Sequence, residues 1–492
     1  MMETLSTIFH NLLDMLRYDA DKPMIFSSGL FWALFLIFIP IYSALRSRKW
    51  QMIAFVTAFS LFFYFKSSGW FFLLLVATSL IDWSLSKLLV RLTKRWQQLA
   101  CMWGSIAVSL SVLIYFKYAN FFLWTWNSMV EGNFQPLDII LPVGISFYTF
   151  QSISYIVDIY KKRLAPTATW LEYAFFLSFF PQLVAGPIVR ADYFIPQIEN
   201  REHASRTDIY TGLWLIILGI IKKAVIADYI AQYNDLIFEV PTGYSGFESL
   251  MGLIGYVMQI YCDFSGYSDM AIGIALIMGF NLTPNFNFPY KSTNVTEFWR
   301  RWHISLSTWL RDYIYIPLGG NRKGTARTYI NNFLTMLIGG LWHGAAWKFV
   351  FWGALHGVGL AVHKACKGWL DRLPRSRWIT ALSWTVTMIF VSLLWVFFRA
   401  ESWTDSWHII SNIFTNFQAE CIVPFLETRW LWVVMMVVII AAHALPEGTW
   451  NRVGELFVRS PWVVKLIVFL IVVQLVIQFM SEEVSPFIYF QF

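Results

Sequence analysis

Residues 329–363 read YINNFLTMLIGGLWHGAAWKFVFWGALHGVGLAVH, and Lys348 is their only lysine, arginine, aspartate or glutamate. Two apolar runs, Phe333 to Ile338 and Phe349 to Leu355, flank the hexapeptide Gly339-Gly340-Leu341-Trp342-His343-Gly344. Gly340 to Gly344 and Gly353 to Gly357 each form a GxxxG pattern, which lets two helices approach closely in a bilayer. Each pattern places a histidine just before its second glycine, His343 and His356. An ionisable side chain in a membrane segment costs free energy and marks a functional position by default. Imidazole is also the group best suited to take and return a proton near neutral pH. The competing reading of each is a histidine hydrogen-bonded across a packed helix pair, and for His356 that reading is preferred.

The chain has 492 residues, 57% hydrophobic, 19% aromatic and 14% charged, with a mean hydropathy of +0.54. Soluble proteins carry about 25% charged residues. The composition therefore predicts an all-α, polytopic membrane bundle. Apolar runs recur from 24–44 to 463–480; those at 51–66, 267–280 and 329–341 are too short to cross alone. A crossing needs about 20 residues, so about eleven spans with two or three re-entrant pieces are expected. Net charge is +7. The cations cluster between apolar runs (Arg46, Arg48, Lys49; Lys87 to Arg95; Lys161 to Arg163; Lys364 to Arg377), as the positive-inside rule requires. No nucleic-acid motif accompanies them. Four scattered cysteines without a CxxC predict neither a disulfide framework nor a zinc site. No internal repeat is evident. Residues 1–23 hold apolar positions at helical spacing from Leu5 to Leu16. They are read as an amphipathic extension, lying on the membrane surface or packed on the bundle.

The segment 281–328 is polar, aromatic and basic between two apolar blocks, which suits a cavity lining or re-entrant loop. It contains TEFWRRWHISLSTWLRDYIYIPLGGNRKG, 296–324, with His303 forty positions before His343. Written on one helix, Trp299, Trp302 and Trp309 fall near one stripe, and His303 and Ser307 are i, i+4 neighbours. Arg300, Arg301 and Arg311 either face an anionic ligand such as a phosphate or snorkel from an interfacial helix. Metal binding is not expected: there is no HExxH and no carboxylates cluster beside either histidine. No GxSxG elbow supports a serine triad. YCDFSGYSD, 261–269, either lines the same cavity or caps a helix beginning near Ser268-Asp269.

At these residues the chain resembles the bacterial branch of the membrane-bound O-acyltransferase family. The motifs are TEFWRRWHISLSTWLRDYIYIPLGGNRKG and GGLWHG. With them go PVGISFYTFQSISYIVDIY (142–160), FFPQLVAGPIVR (179–190), IKKAVIAD (221–228), YCDFSGYSDMAIG (261–273) and SPFIYFQF (485–492). The resemblance covers residues 24–492 and leaves 1–23 outside. It implies a helical membrane bundle around a tunnel, and it maps the family's histidine pair onto His303 and His343, the latter catalytic. It also implies acetyl transfer across the bacterial inner membrane, from a cytoplasmic donor to an alginate-like exopolysaccharide. Acetyl-CoA is the expected co-substrate and no bound cofactor is expected. A periplasmic SGNH-type partner is expected to place the acetyl group on polymer hydroxyls. On this reading His343 is the general base, His303 orients the acceptor or stabilises the oxyanion, and Arg300, Arg301, Arg311 and Trp342 contact the donor. The alternative is a transport, conduit or scaffold subunit of an export complex, against which the lack of repeats counts.

Overall fold

The computed structural model describes residues 14–20, 22–200, 203–374 and 376–479, and every regular element among them is a helix. The all-α expectation holds. The amphipathic pattern from Leu5 to Leu16 lies mostly outside the described residues, as does the ending 485–492. Among the described residues five helices are long and apolar enough to cross a membrane: Lys49–Arg91, Arg95–Val130, Arg206–Glu239, Arg377–Arg399 and Trp462–Phe479. Two further pairs are bent, Trp403–Thr415 with Ala419–Thr428 by 96° and Trp430–Ala444 with Glu447–Arg459 by 97°. A multi-pass membrane protein follows. Other helices, such as the 24-residue Trp347–Leu370, have the length to cross, but tryptophan, histidine and lysine dilute their apolar character.

The chain divides into two compact units, Met1–Leu213 with Met270–Leu282 and Trp214–Asp269 with Thr283–Phe492. The first is built around phenylalanine. Phe31, Phe35, Phe38, Phe63 and Phe180 are buried, with Phe38 and Phe180 centroids 5.6 Å apart and edge-on. Buried carboxylates interrupt this apolar interior, Asp82 among them. Burying a carboxyl is costly unless its oxygens are hydrogen-bonded. Asp82 accepts from Ser105 Oγ at 2.8 Å, from Ser109 Oγ at 3.4 Å and from Ser152 Oγ. Its helix, Phe72–Arg91, is thereby tied to Arg95–Leu113 and Ile145–Tyr160.

The second unit holds an antiparallel hairpin of Thr325–His343 and Trp347–Leu370. The glycine pattern explains it. A Cβ on Gly353 would lie 2.9 Å from Gly340 Cα, and one on Gly357 would lie 2.9 Å from Phe333 Cα. The two backbones touch where any side chain would hold them apart. Gly344 lies beyond the helix end, and a Cβ there would meet the Phe349 ring of the facing helix at 2.1 Å. The 32-residue helix Gly246–Ile277 belongs to this unit as far as Asp269. It joins the apolar runs 247–262 and 267–280 into one element, so the helix start expected at Ser268-Asp269 is overturned. The reason is charge pairing: Asp263 sits 2.5 Å from Lys223 Nζ, and Asp269 sits 2.7 Å from Lys222 Nζ. Lys223 also meets Asp228 at 2.8 Å. Paired in this way, the acids are tolerated mid-helix. Lys222 and Lys223 lie in a π-helical stretch, Ile221–Ala227, a widening of the turn that often accompanies function.

Candidate active site

The aromatic segment does not form the single helix expected over 296–313. Asn294 caps a first helix, Val295–Arg301, by accepting from the Glu297 N–H at 2.8 Å. The chain then breaks at Trp302-His303 and resumes as Ile304–Leu310. At the break His303 has φ +44°, in the left-handed region. Non-glycine residues rarely enter that region, although histidine does so more than most. Asn285 holds the turn. Its backbone carbonyl accepts from the Ile304 N–H at 2.9 Å. Its side-chain Oδ1 accepts from Ser305 Oγ at 2.9 Å and from the Ser305 N–H at 3.3 Å, and it lies 3.1 Å from His303 Nδ1. Its Nδ2 donates to Ser268 Oγ at 3.2 Å, on the Gly246–Ile277 helix. Asn285 is 1% exposed.

His343 arrives from another direction, as the last residue of Thr325–His343. A Cβ on Gly339 would stand 3.0 Å from Leu310 Cδ1, so this glycine lets the hairpin lie against the Ile304–Leu310 helix. The result is that two imidazoles forty residues apart come to a centroid separation of 6.3 Å. At that spacing one small group can reach a nitrogen of each ring at hydrogen-bond distance, about 3 Å. Both histidines are buried, His303 at 0% and His343 at 3% exposure. Aromatic rings close the surroundings. His343 lies 5.0 Å from Trp342, 5.1 Å from Trp352 and 5.3 Å from Phe398, and His303 lies 4.7 Å from Phe264 and 5.9 Å from Trp342. Such a pocket excludes water and strengthens any electrostatic contact made inside it.

The other candidates distribute differently. Trp342 is buried beside both imidazoles. Arg301 is held by three oxygens, Glu297 at 3.0 Å, Glu447 at 2.6 Å and the Asn287 carbonyl at 3.2 Å. Arg311 is exposed and forks onto Asp312 at 2.6 and 3.1 Å. Arg300 is exposed and makes no ion pair among the described residues. His356 accepts from Trp299 Nε1 at 3.3 Å, the packed-pair arrangement preferred from sequence. His363 meets Thr296 Oγ1 at 2.8 Å. Among the described residues no group of three or more histidine, cysteine, aspartate or glutamate side chains could hold a metal. Sequence reading passed over Asn285, Phe264, Trp352 and Phe398. The proline and asparagines of Thr283-Pro284-Asn285-Phe286-Asn287 look like an ordinary loop, and the aromatic residues look like ordinary core.

The family model for membrane-bound O-acyltransferases matches residues 161–402, which include both histidines. The chain is 40% identical over 404 residues to "Probable alginate O-acetylase AlgI" of Pseudomonas aeruginosa, covering 80% of this chain and 75% of that protein. It is 38% identical over 396 residues to the peptidoglycan O-acetyltransferase of Helicobacter pylori, with 74% and 73% covered. It is 30% identical over 283 residues to the teichoic acid D-alanyltransferase of Bacillus subtilis, with 55% and 71% covered. With an all-helical fold, several membrane-crossing helices and this extent of identity, the chain belongs to the membrane-bound O-acyltransferase family and is an acyl-transferring enzyme of the membrane.

Proposed function

We propose that this chain takes acetyl from acetyl-CoA at the cytoplasmic face of a bacterial inner membrane and passes it outward for O-acetylation of an alginate-like exopolysaccharide. The observation that carries this reading is the histidine pair, two imidazoles 6.3 Å apart in a buried aromatic pocket. His343 acts as general base. It takes the proton from an acceptor hydroxyl as the hydroxyl oxygen bonds to the thioester carbonyl carbon. As the carbon–sulfur bond breaks, His343 returns that proton to the leaving thiolate. Acid–base help of this kind is worth about 10²–10⁴ in rate. As the last residue of its helix, His343 sits at the carbonyl end, where the dipole favours positive charge developing on the ring. His303 orients the acceptor or stabilises the oxyanion. Trp342 walls the acyl site between them.

The donor's charged end is assigned to Arg300 with Arg322, Lys323 and Arg327, all exposed. Arg301 and Arg311 are already engaged by carboxylates and are poorer candidates. From Thr325 to His343 a helix rises about 27 Å. A donor bound by its phosphates at the basic loop therefore needs a long, slender arm, which a pantetheine thioester has and acetyl phosphate lacks. A periplasmic SGNH-type partner fits as the protein that places the acetyl group on the polymer.

The test is release of CoA from acetyl-CoA by the reconstituted chain with its partner, alongside acetylation of the secreted polymer. His343→Ala is expected to abolish both while the protein accumulates and inserts normally. A normally inserted His343→Ala protein that turns over at the wild-type rate defeats the reading.

A further inference from the structure

We propose that Asn285 is a positioning residue that fixes His303 in the Nδ1–H tautomer, so that His303 holds a neighbouring hydroxyl of the acceptor and not the oxyanion. The inference rests on the reading of His303 and His343 as one reaction centre. A backbone N–H can only donate, and the Ser305 N–H points at one side-chain atom of Asn285 from 3.3 Å. That atom must be the oxygen, because the amide nitrogen would set donor against donor. Ser305 Oγ at 2.9 Å shares the same oxygen, and the amide nitrogen is left to donate to Ser268 Oγ at 3.2 Å.

His303 Nδ1 faces that oxygen at 3.1 Å. An amide oxygen only accepts, so Nδ1 must carry the hydrogen. In a neutral imidazole the other nitrogen, Nε2, then holds a lone pair and no proton. Such a ring can accept a hydrogen bond from a second hydroxyl of the acceptor sugar, beside the one whose proton goes to His343, and hold the attacking oxygen in line. It cannot donate to the negative oxygen of a tetrahedral intermediate. Two roles were open for His303 on chemical grounds, and this network selects the first.

The arrangement is built rather than incidental. Asn285 is 1% exposed. It ties the His303 turn to the long helix at Ser268, and its backbone carbonyl also accepts from the Ile304 N–H, the residue after the left-handed His303. One residue thus sets the ring's tautomer, its backbone conformation and its distance from the neighbouring helix.

Ring-¹⁵N-histidine NMR of the full chain in nanodiscs tests the tautomer directly, with the His303 signals assigned by their loss in His303→Gln. A protonated Nδ1 and an unprotonated Nε2 are expected, and the reverse assignment in the wild type overturns the proposal. This measurement needs no turnover, so a wrong tautomer and a wrong reaction are told apart. Kinetics supply the second arm. Asn285→Leu, which removes the oxygen, is expected to lose about 10- to 100-fold in kcat, by analogy with loss of the hydrogen-bond partner of a metal-bound histidine. Asn285→Asp keeps an acceptor in place and is expected to recover most of the rate. It should also move the acid limb of the kcat/KM profile to higher pH, because a neighbouring negative charge favours the protonated imidazole. An Asp variant as slow as the Leu variant, with both equally stable to heat, overturns the proposal.

Discussion

At the scale of single residues, what matters is which charges are already engaged. Arg300 and Arg301 are adjacent in sequence, yet Arg301 meets two carboxylates and a carbonyl while Arg300 is exposed. The two should therefore fail differently. Arg300→Ala is expected to raise KM for the acetyl donor about 10- to 100-fold with little change in melting temperature, since a lost charge-assisted contact is worth about 1.5–3 kcal/mol. Arg301→Ala is expected to lower the melting temperature and the protein level with KM unchanged, because Glu297 and Glu447 lose their shared cation. Detergent-solubilised thermal melts and donor titrations separate the two outcomes. The histidines themselves were legible in sequence, because ionisable groups in apolar surroundings are conspicuous. The role of Arg301 was not, because Glu447 lies 146 positions away and nothing local reports the pairing. Asn285 was not legible for a similar reason: an asparagine in a loop carries neither period nor charge.

At the scale of elements, the hairpin rests on glycine. Gly353→Val is expected to cost about 1–3 kcal/mol or more through overpacking, because the new Cβ meets Gly340 Cα at 2.9 Å. The expected readouts are reduced accumulation, a lower melting temperature and loss of transfer, since displacement of the hairpin also displaces His343. Gly368→Ala, on the same helix but with nothing near its Cβ, should be neutral in the same assays. The glycine spacing announced this seam from sequence alone. The break at His303 was hidden, because tryptophans three and seven apart look helical and only the long-range hold of Asn285 interrupts them. The 32-residue helix was hidden for the opposite reason. Its acids suggested a boundary, and it took Lys222 and Lys223 from a distant segment to make them ordinary helix residues.

At the scale of the molecule, the arrangement of positive charge fixes orientation. On the proposed function the basic loop at 321–327 and the cations from Lys364 to Arg377 are expected on the cytoplasmic side, in line with the positive-inside rule. Cys366 lies among them and is exposed. With the other three cysteines replaced by alanine, a membrane-impermeant maleimide should leave Cys366 unlabelled in intact cells and label it in inverted vesicles; the opposite pattern reverses the topology. Composition disclosed a helical membrane protein at once, but hydropathy alone could not count its crossings, because helices such as Trp347–Leu370 carry tryptophan, histidine and lysine among their apolar residues. The seam at Gly340 and Gly353 also has a bearing on descent. Each position forbids a side chain on account of the facing helix's backbone, Phe349 O at 2.3 Å for Gly340 and Met336 O at 2.4 Å for Gly353, so neither can mutate first and be rescued by a change at the other. In a library of all single substitutions these two sites should stand as paired gaps, and lineages that diverge widely on the lipid-facing surface should remain frozen there.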